Sequence, residues 1–342
     1  MTEPLLNIVD LKTYFRDTRT GQSIKACDGI SLDIEAGEIV GLVGESGCGK
    51  STLGRTLVGL EDAHAGEIRY DGENLLAMNA RKLLTTRRKI QYVFQDPLSS
   101  LSGRMTIGQS IDEALLINGE RNAAARRARV GELLEAVSLP VHIAERFPRE
   151  MSGGQRQRAC IARSLAADPK VLICDEPVSS LDVSIRAQVM NLFLKLRDEF
   201  GMACLLIAHD LAIVRQAASR VYVMYLGRIM EQGESRALYG NPSHPYTQAL
   251  LSAVPSTNPV EERSRQRTLL TGDVPSPINP PSGCRFRGRC PIAQPVCETP
   301  PPVVPVDPHH IATCHFPGRL ALPGGAGDLL RSGSGVHNPA GQ

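Results

Sequence analysis

The sequence has no apolar run approaching the ~18–20 residues that span a bilayer, so no membrane-spanning helix is expected. It has no excess of one charge either. Its 38 Lys and Arg face 36 Asp and Glu, and a formal net charge of +2 builds no global field to recruit nucleic acid or an anionic membrane. The opening stretch MTEPLLNIVD carries an acid at Glu3 and lacks the basic-then-apolar order of a signal peptide. There is no internal repeat. These absences point to a protein of the cytoplasm, held at a membrane only through a partner. At 342 residues and 42% hydrophobic composition, the chain can hide roughly 75% of its unfolded surface, which suggests one large domain or two.

Most of the chain alternates strand and helix, which argues an α/β class with a mostly parallel sheet. Glu38–Val43 reads as a short strand, and Lys50–Leu60 as a helix with Leu53, Leu57 and Leu60 on one face. Val171–Cys174 and Ala203–Ala208 are further buried strands, separated by an amphipathic helix over Val183–Phe200 that Gly201 stops. Val221–Tyr225 and Arg228–Gln232, joined by Leu226-Gly227, form a predicted hairpin. A helical insert interrupts the core over about 97–155, with Arg126, Arg127 and Arg129 read as a solvated face opposite Leu133, Leu134 and Val137. Beyond residue 240 proline rises and periodicity fades; such a segment needs a staple. The expected units are 1–240, an extension over 241–322 and a disordered Gly/Ser-rich tail over 323–342.

Three segments carry chemistry. Gly44-Glu45-Ser46-Gly47-Cys48-Gly49-Lys50-Ser51 fits G-x-x-x-x-G-K-[ST] after a strand and before a helix. Its backbone N–H groups would cradle a phosphate chain, Lys50 would pair with the β- and γ-phosphates, and Ser51 would ligate Mg²⁺. Val171–Glu176 is an apolar strand ending in two acids, where α/β sheets bind ligands. Asp175 would hold Mg²⁺ through water, and Glu176 would act as general base on the attacking water. Ser152, before Gly153-Gly154-Gln155, would cap a helix over Arg156–Ala167 and offer a second anion site.

With these segments in this order, residues ~5–235 resemble the nucleotide-binding subunit of an ABC transporter. The resemblance implies a P-loop ATPase core whose ATP contacts run from Gly44 through Thr52. It places Phe15 against adenine, with Tyr14 the alternative by one position. Gln95, in Phe94-Gln95-Asp96-Pro97, corresponds to the Q-loop glutamine that contacts Mg²⁺ and senses the membrane subunit. Met151–Gln155 is similar to the LSGGQ signature, Ser180-Leu181-Asp182 to the D-loop, and His209 to the switch histidine at the γ-phosphate. The resemblance implies that two such subunits sandwich two ATPs, so that Ser152 and Gly154 would serve the partner's nucleotide, with Gly153, Gln155 and Asp182 also among the nucleotide-binding residues.

The extension narrows the branch. His244-Pro245-Tyr246-Thr247 followed by Ala249-Leu250-Leu251, and the cysteine segment after it, resemble the C-terminal extension of oligopeptide/dipeptide importers. The loop GESGCGKS looks closest to the second of the two ATPases there. The implied partners are a non-identical sister ATPase, two membrane-spanning permease subunits and, indirectly, a solute-binding protein; no nucleic acid is implied. Physically, Pro245 opens a helix capped by Ser243 or His244. Cys284, Cys290, Cys297 and Cys314 are spaced C-x5-C-x6-C-x16-C, and four thiolates can hold a [4Fe–4S] cluster or Zn²⁺. The resemblance tips that choice toward iron. Cys48 and Cys174 read as packing residues. Soluble ABC ATPases of DNA repair or translation carry two cassettes or a long coiled-coil insertion, and this chain has neither. An iron–sulfur redox enzyme would not need Lys50, Asp175, Glu176 and His209 together. Nickel, opine and cell-wall peptide importers use the same ATPase type.

Overall fold

The computed structural model describes residues 3–179, 181–254, 270 and 272–318. Its strands are β1 (Leu6–Arg16), β2 (Ser23–Ile34), β3 (Ile39–Val43), β4 (Ala65–Tyr70), β5 (Glu73–Asn74), β6 (Ile90–Val93), β7 (Val171–Asp175), β8 (Ala203–Ala208), β9 (Arg220–Tyr225), β10 (Arg228–Glu234), β11 (Val303–Asp307) and β12 (His310–Thr313). The helices are α1 (Lys50–Val58), α2 (Ala80–Arg87), α3 (Pro97–Ser100), α4 (Ile107–Ile117), α5 (Ala123–Ala136), α6 (Gly153–Leu165), α7 (Val183–Phe200), α8 (Leu211–Val214), α9 (Ser235–Gly240) and α10 (Pro245–Ala253).

The central strands β3, β7 and β8 are buried on every residue because both faces of their sheet are covered. In β3, Ile39 and Val43 enter one core while Val40 and Leu42 enter the other. The same alternation divides Cys204, Leu206 and Ala208 of β8 from Ala203, Leu205 and Ile207. One face meets α1 and a second sheet; the other meets the helical insert, α6, α7 and the extension. The main sheet runs β11-β12-β10-β9-β3-β8-β7-β6, parallel from β9 to β6 and antiparallel beyond β9. The second sheet, β2-β1-β4-β5, is antiparallel throughout, and its strands before β3 and after α1 lie outside the strand–helix alternation read from the sequence. The hairpin between β9 and β10 turns on Leu226 and Gly227, both at positive φ, as a two-residue I′ turn requires.

The insert is helical, as its periodicity indicates, but one of its arginines is not simply solvated. Arg126 lies half-buried between α4 and α5, pairing with Asp112 at 2.8 Å and donating to the carbonyls of Glu120 and Arg121. Arg129 pairs with Glu132 on the exposed side.

The extension also departs from expectation. Instead of a segment without periodicity, residues 303–313 form a two-strand addition to the main sheet, with Glu231 of β10 opposite Ala312 of β12. Pro305 sits in the edge strand β11, where a missing N–H is tolerated. The buried Glu231 carboxylate accepts from the N–H groups of Ser243 and His244 and bonds His310 Nε2 at 2.7 Å. Phe286 is fully buried against the rings of Tyr225, Tyr246 and His244. The tail from 323 and the extension's end at 322 lie outside the described residues.

Of the two capping candidates at α10, His244 does the work: its Nδ1 accepts from the N–H of Tyr246 at 3.0 Å. Burial lowers the His244 pKa to about 4, against the opposing pull of Glu231. Above its unfolded pKa near 6.5 His244 is neutral in both states, and its contribution is fully present. As pH falls toward 4, the unfolded chain takes up a proton that the folded chain refuses, and stability drops by about 3 kcal/mol. His244→Asn, which keeps a capping acceptor, is therefore expected to flatten the fall in stability between pH 7 and pH 4.5, read from denaturant midpoints.

Candidate ATP site

Strand order alone assembles the site. β3, β8, β7 and β6 are successive neighbours, and Val43, Ala208, Asp175 and Val93 stand near one end of them. The phosphate loop follows β3, His209 follows β8, Glu176 follows β7 and Gln95 lies just past β6. All four segments therefore emerge at the carboxyl edge of a parallel sheet, where α/β proteins bind ligands.

The loop from Gly44 to Gly49 needs its glycines for space. A side chain at Gly44 would collide with the carbonyl of Met224, and one at Gly49, at φ +108°, with the carbonyl of Ala26. Gly49 then opens α1, whose first-turn N–H groups have no side-chain cap. Lys50 is buried, its Nζ donating to the carbonyls of Gly44 at 2.7 Å and Glu45 at 2.9 Å and lying 3.7 Å from Cys48 Sγ. Burial raises the Cys48 thiol pKa, with Lys50 opposing, so Cys48 stays a neutral packing group. The same holds for Cys174, whose thiol burial pushes well up.

Ser51 Oγ donates to Asp175 Oδ1 at 2.9 Å, and Tyr92 of β6 donates to Asp175 Oδ2 at 2.7 Å. Asp175 is buried and ionic-bonded to no cation, so its two oxygens are satisfied by hydroxyls alone among the contacts described. A hydroxyl and a carboxylate in contact are a hard-oxygen pair that suits Mg²⁺. Glu176 adopts φ +45°, a strained value for a non-glycine residue, while its N–H still bonds Ile207 O. Its carboxylate receives Gln95 Nε2 at 3.1 Å and stands 3.2 Å from His209 Nδ1.

A cavity of 310 Å³ is lined by Phe15, by Ser46 through Thr52, and by Gln95 and Glu176; Asp175 and His209 do not line it and reach it through Ser51 and Glu176. Phe15 faces the cavity; Tyr14 is turned away, its hydroxyl donating to Asp28 at 2.5 Å and its ring beside His64. Gly44 and Glu45 lie behind the lining residues, the latter directed at Arg289. The signature residues do not line this cavity. Ser152 caps α6 in a reciprocal box with Gln155, Ser152 Oγ accepting from Gln155 N–H and Gln155 Oε1 from Ser152 N–H, while Gly153 and Gly154 form the first turn. Asp182 stands exposed at the start of α7, and Ser180 lies outside the described residues.

Two participants escaped sequence reasoning. Tyr92 sits in a four-residue strand with no local mark of its bond to Asp175. Arg289 reaches Glu45 across 244 residues of sequence. In the extension, Cys284, Cys297 and Cys314 are buried and Cys290 half-buried. Cys284 N–H donates to Cys297 O at 2.9 Å. Burial pushes the Cys290 thiol up to about 11, and the neighbouring Cys284, Cys314 and Cys297 thiols push the same way. The four sulfurs thus share one locality, yet among the described residues no three His, Cys, Asp or Glu side chains form a set ready to grasp a metal ion.

A phosphate loop, a hydroxyl–carboxylate pair and a positioned glutamate on one sheet edge define a nucleoside-triphosphate hydrolase. Comparison with known proteins gives the family. The ABC transporter family matches residues 27–179, and the family described as the oligopeptide/dipeptide transporter C-terminal region matches residues 230–297. The oligopeptide transport ATP-binding protein OppF of Salmonella typhimurium is 48% identical over 91% of this chain and 95% of its own. The dipeptide transport ATP-binding protein DppF of Haemophilus influenzae is 48% identical over 84% of this chain and 88% of its own. Among solved structures, the dimeric ATP-binding cassette MJ0796 bound to ADP and Pi superposes with TM-score 0.61 at 28% identity, covering 68% of this chain and 99% of that one. CbiO1 from Clostridium perfringens gives 0.62 at 28% identity, covering 70% and 91%. The chain belongs to the ABC transporter ATPase family, in its oligopeptide/dipeptide branch.

Proposed function

We propose that this chain is the ATP-hydrolysing subunit of an importer for di- or oligopeptides, bound peripherally on the cytoplasmic side of the membrane. The observation that carries this is the match of residues 230–297 to the oligopeptide/dipeptide C-terminal region, on a chain whose core is an ATPase. Among the described residues no helix is long and apolar enough to cross a membrane, so passage of the solute needs permease partners.

In this reading ATP fills the cavity, with adenine on Phe15 and phosphates under the N–H groups of Gly47 through Thr52. Lys50 exchanges its loop carbonyls for β- and γ-phosphate oxygens. Ser51, Asp175 and Gln95 would hold Mg²⁺, which when bound would offset the negative charge of the phosphates. Glu176 takes the proton of the attacking water, and His209 holds Glu176 and the γ-phosphate in register. Ser152, Gly153, Gly154, Gln155 and Asp182 face the partner's ATP in a head-to-tail pair with a non-identical sister ATPase.

A groove of 440 Å³ between α1, α2 and α4 suits a permease helix, because Leu60, Leu84 and Ile117 stand exposed around it and Phe94 leads from it to Gln95. The four cysteines hold a [4Fe–4S] cluster. The spacing C-x5-C-x6-C-x16-C lacks the tight C-x2-C pair usual in zinc ribbons, which favours a cluster over zinc.

The test is reconstitution with the sister ATPase and permease subunits in vesicles, fed by the solute-binding protein. Peptide uptake that requires ATP and is lost in Lys50→Ala is the expected result. Uptake of nickel, an opine or a cell-wall peptide instead would replace the solute, and ATP turnover without any permease association would overturn the transport role.

A further inference from the structure

Glu45, the second residue of the phosphate loop, is held from three sides. Its carboxylate takes both arms of Arg289, with Nη1–Oε2 at 2.6 Å and Nη2–Oε1 at 3.0 Å. Its N–H donates to the Tyr246 hydroxyl at 2.8 Å, and its carbonyl accepts from Lys50. Two of these three holders come from the extension. Both are well packed: Tyr246 is fully buried, and the Arg289 side chain is 9% exposed with its guanidinium against the Tyr225 ring. A third extension residue, Pro277, lines the ATP cavity itself and accepts from Lys25 N–H at 3.1 Å.

The electrostatics give this arrangement a consequence. A carboxylate in a loop built to bind polyphosphate opposes the ligand. Glu45 does not do so here because a buried, bidentate guanidinium neutralises it and draws it to the outer side of the loop. The Tyr246 hydroxyl fixes the backbone of the same residue, so the loop's remaining N–H groups keep their aim.

We propose that Arg289 is a positioning residue of the ATP site: by neutralising Glu45 and drawing it outward, it makes the C-terminal extension a determinant of ATP affinity. The proposal rests on the ATP reading above and names a part of that site outside the nucleotide motifs. It predicts an effect on binding and not on the chemical step, because Arg289 bonds the loop's outer side and makes no described contact with Glu176, His209 or Asp175.

The experiment measures equilibrium binding of a fluorescent ATP analogue with Mg²⁺, and steady-state hydrolysis, on the full chain. Arg289→Ala should raise Kd and KM about tenfold with kcat within about twofold. Arg289→Lys, which keeps the charge and loses the fork, should raise Kd a few-fold. Adding Glu45→Gln to Arg289→Ala removes the uncompensated carboxylate and should return Kd to within about threefold of wild type. That rescue separates neutralisation from mere support of the fold. Unchanged Kd in both single variants, or no rescue by Glu45→Gln, would overturn the proposal while the ATP reading stood. A wild-type chain that binds no nucleotide would overturn both.

Discussion

Replacing Glu176 by glutamine should lower ATP turnover by about 10²–10⁴-fold and leave nucleotide binding intact. The substitution keeps size and hydrogen bonding but removes the proton acceptor. The surroundings suit that reading: Gln95 Nε2 can donate as readily to a glutamine oxygen as to the carboxylate, so the loops need not move. The strained φ of +45° at Glu176 is retained as well, because the Ile207 carbonyl holds its N–H. With hydrolysis stopped and binding intact, two ATPs stay sandwiched and the closed dimer accumulates. Turnover would be followed by phosphate release, and the closed dimer with the sister ATPase by size-exclusion chromatography with ATP. Turnover within a few-fold of wild type would move the base assignment to another group, with His209, 3.2 Å away, the first to examine.

The site was legible in the sequence to the extent that its parts are local. The phosphate loop, the acids ending β7 and the cap of α6 each combine a backbone geometry and a side chain within a few residues, so spacing reveals them. The central strands were legible because burial on both faces leaves unbroken apolar runs such as those of β3 and β8. Spacing did not reveal what is made across the sheet. The bond from Tyr92 to Asp175 depends on β6 lying beside β7, and nothing in Ile90–Val93 says which strand is the neighbour. The N-terminal antiparallel sheet is not legible from strand–helix alternation, because β1 and β2 precede β3, and β4 and β5 follow α1, with no helix between the members of either pair. The β11–β12 hairpin was missed for a different reason: its residues are few, one is proline, and its outer strand alternates only between exposed and half-buried positions.

The extension was the least legible part, because its attachment is polar and distant in sequence. Arg285 reaches Asp28 and the carbonyl of Leu226, His310 reaches Glu231, and Arg289 reaches Glu45. Such contacts leave no periodicity, yet they fix where the cysteines lie relative to the phosphate loop. Arg289 and Cys290 are adjacent residues, so whatever holds Cys290 also limits the freedom of the guanidinium on Glu45.

That adjacency bears on the second large effect. Protein purified without oxygen should carry about four irons and four sulfides per chain, and Cys290→Ser should lose both together. Joining Cys284 to Cys314 closes a loop of about 30 residues, which by chain entropy contributes on the order of 3–4 kcal/mol. For a chain of this length the variant's Tm should fall by ~4–6 °C. The extension should nonetheless stay docked, because Phe286 and the Glu231–His310 pair are buried independently of the thiols. Cys290→Ser should therefore leave the β10–β12 pairing protected in hydrogen exchange while loosening residues 284–297. One zinc and no sulfide would make the extension a zinc-stapled module and end the cluster reading. Neither metal would mean that the buried polar contacts alone hold it, with the Cys284, Cys290 and Cys314 thiols kept protonated by burial and by neighbouring thiols.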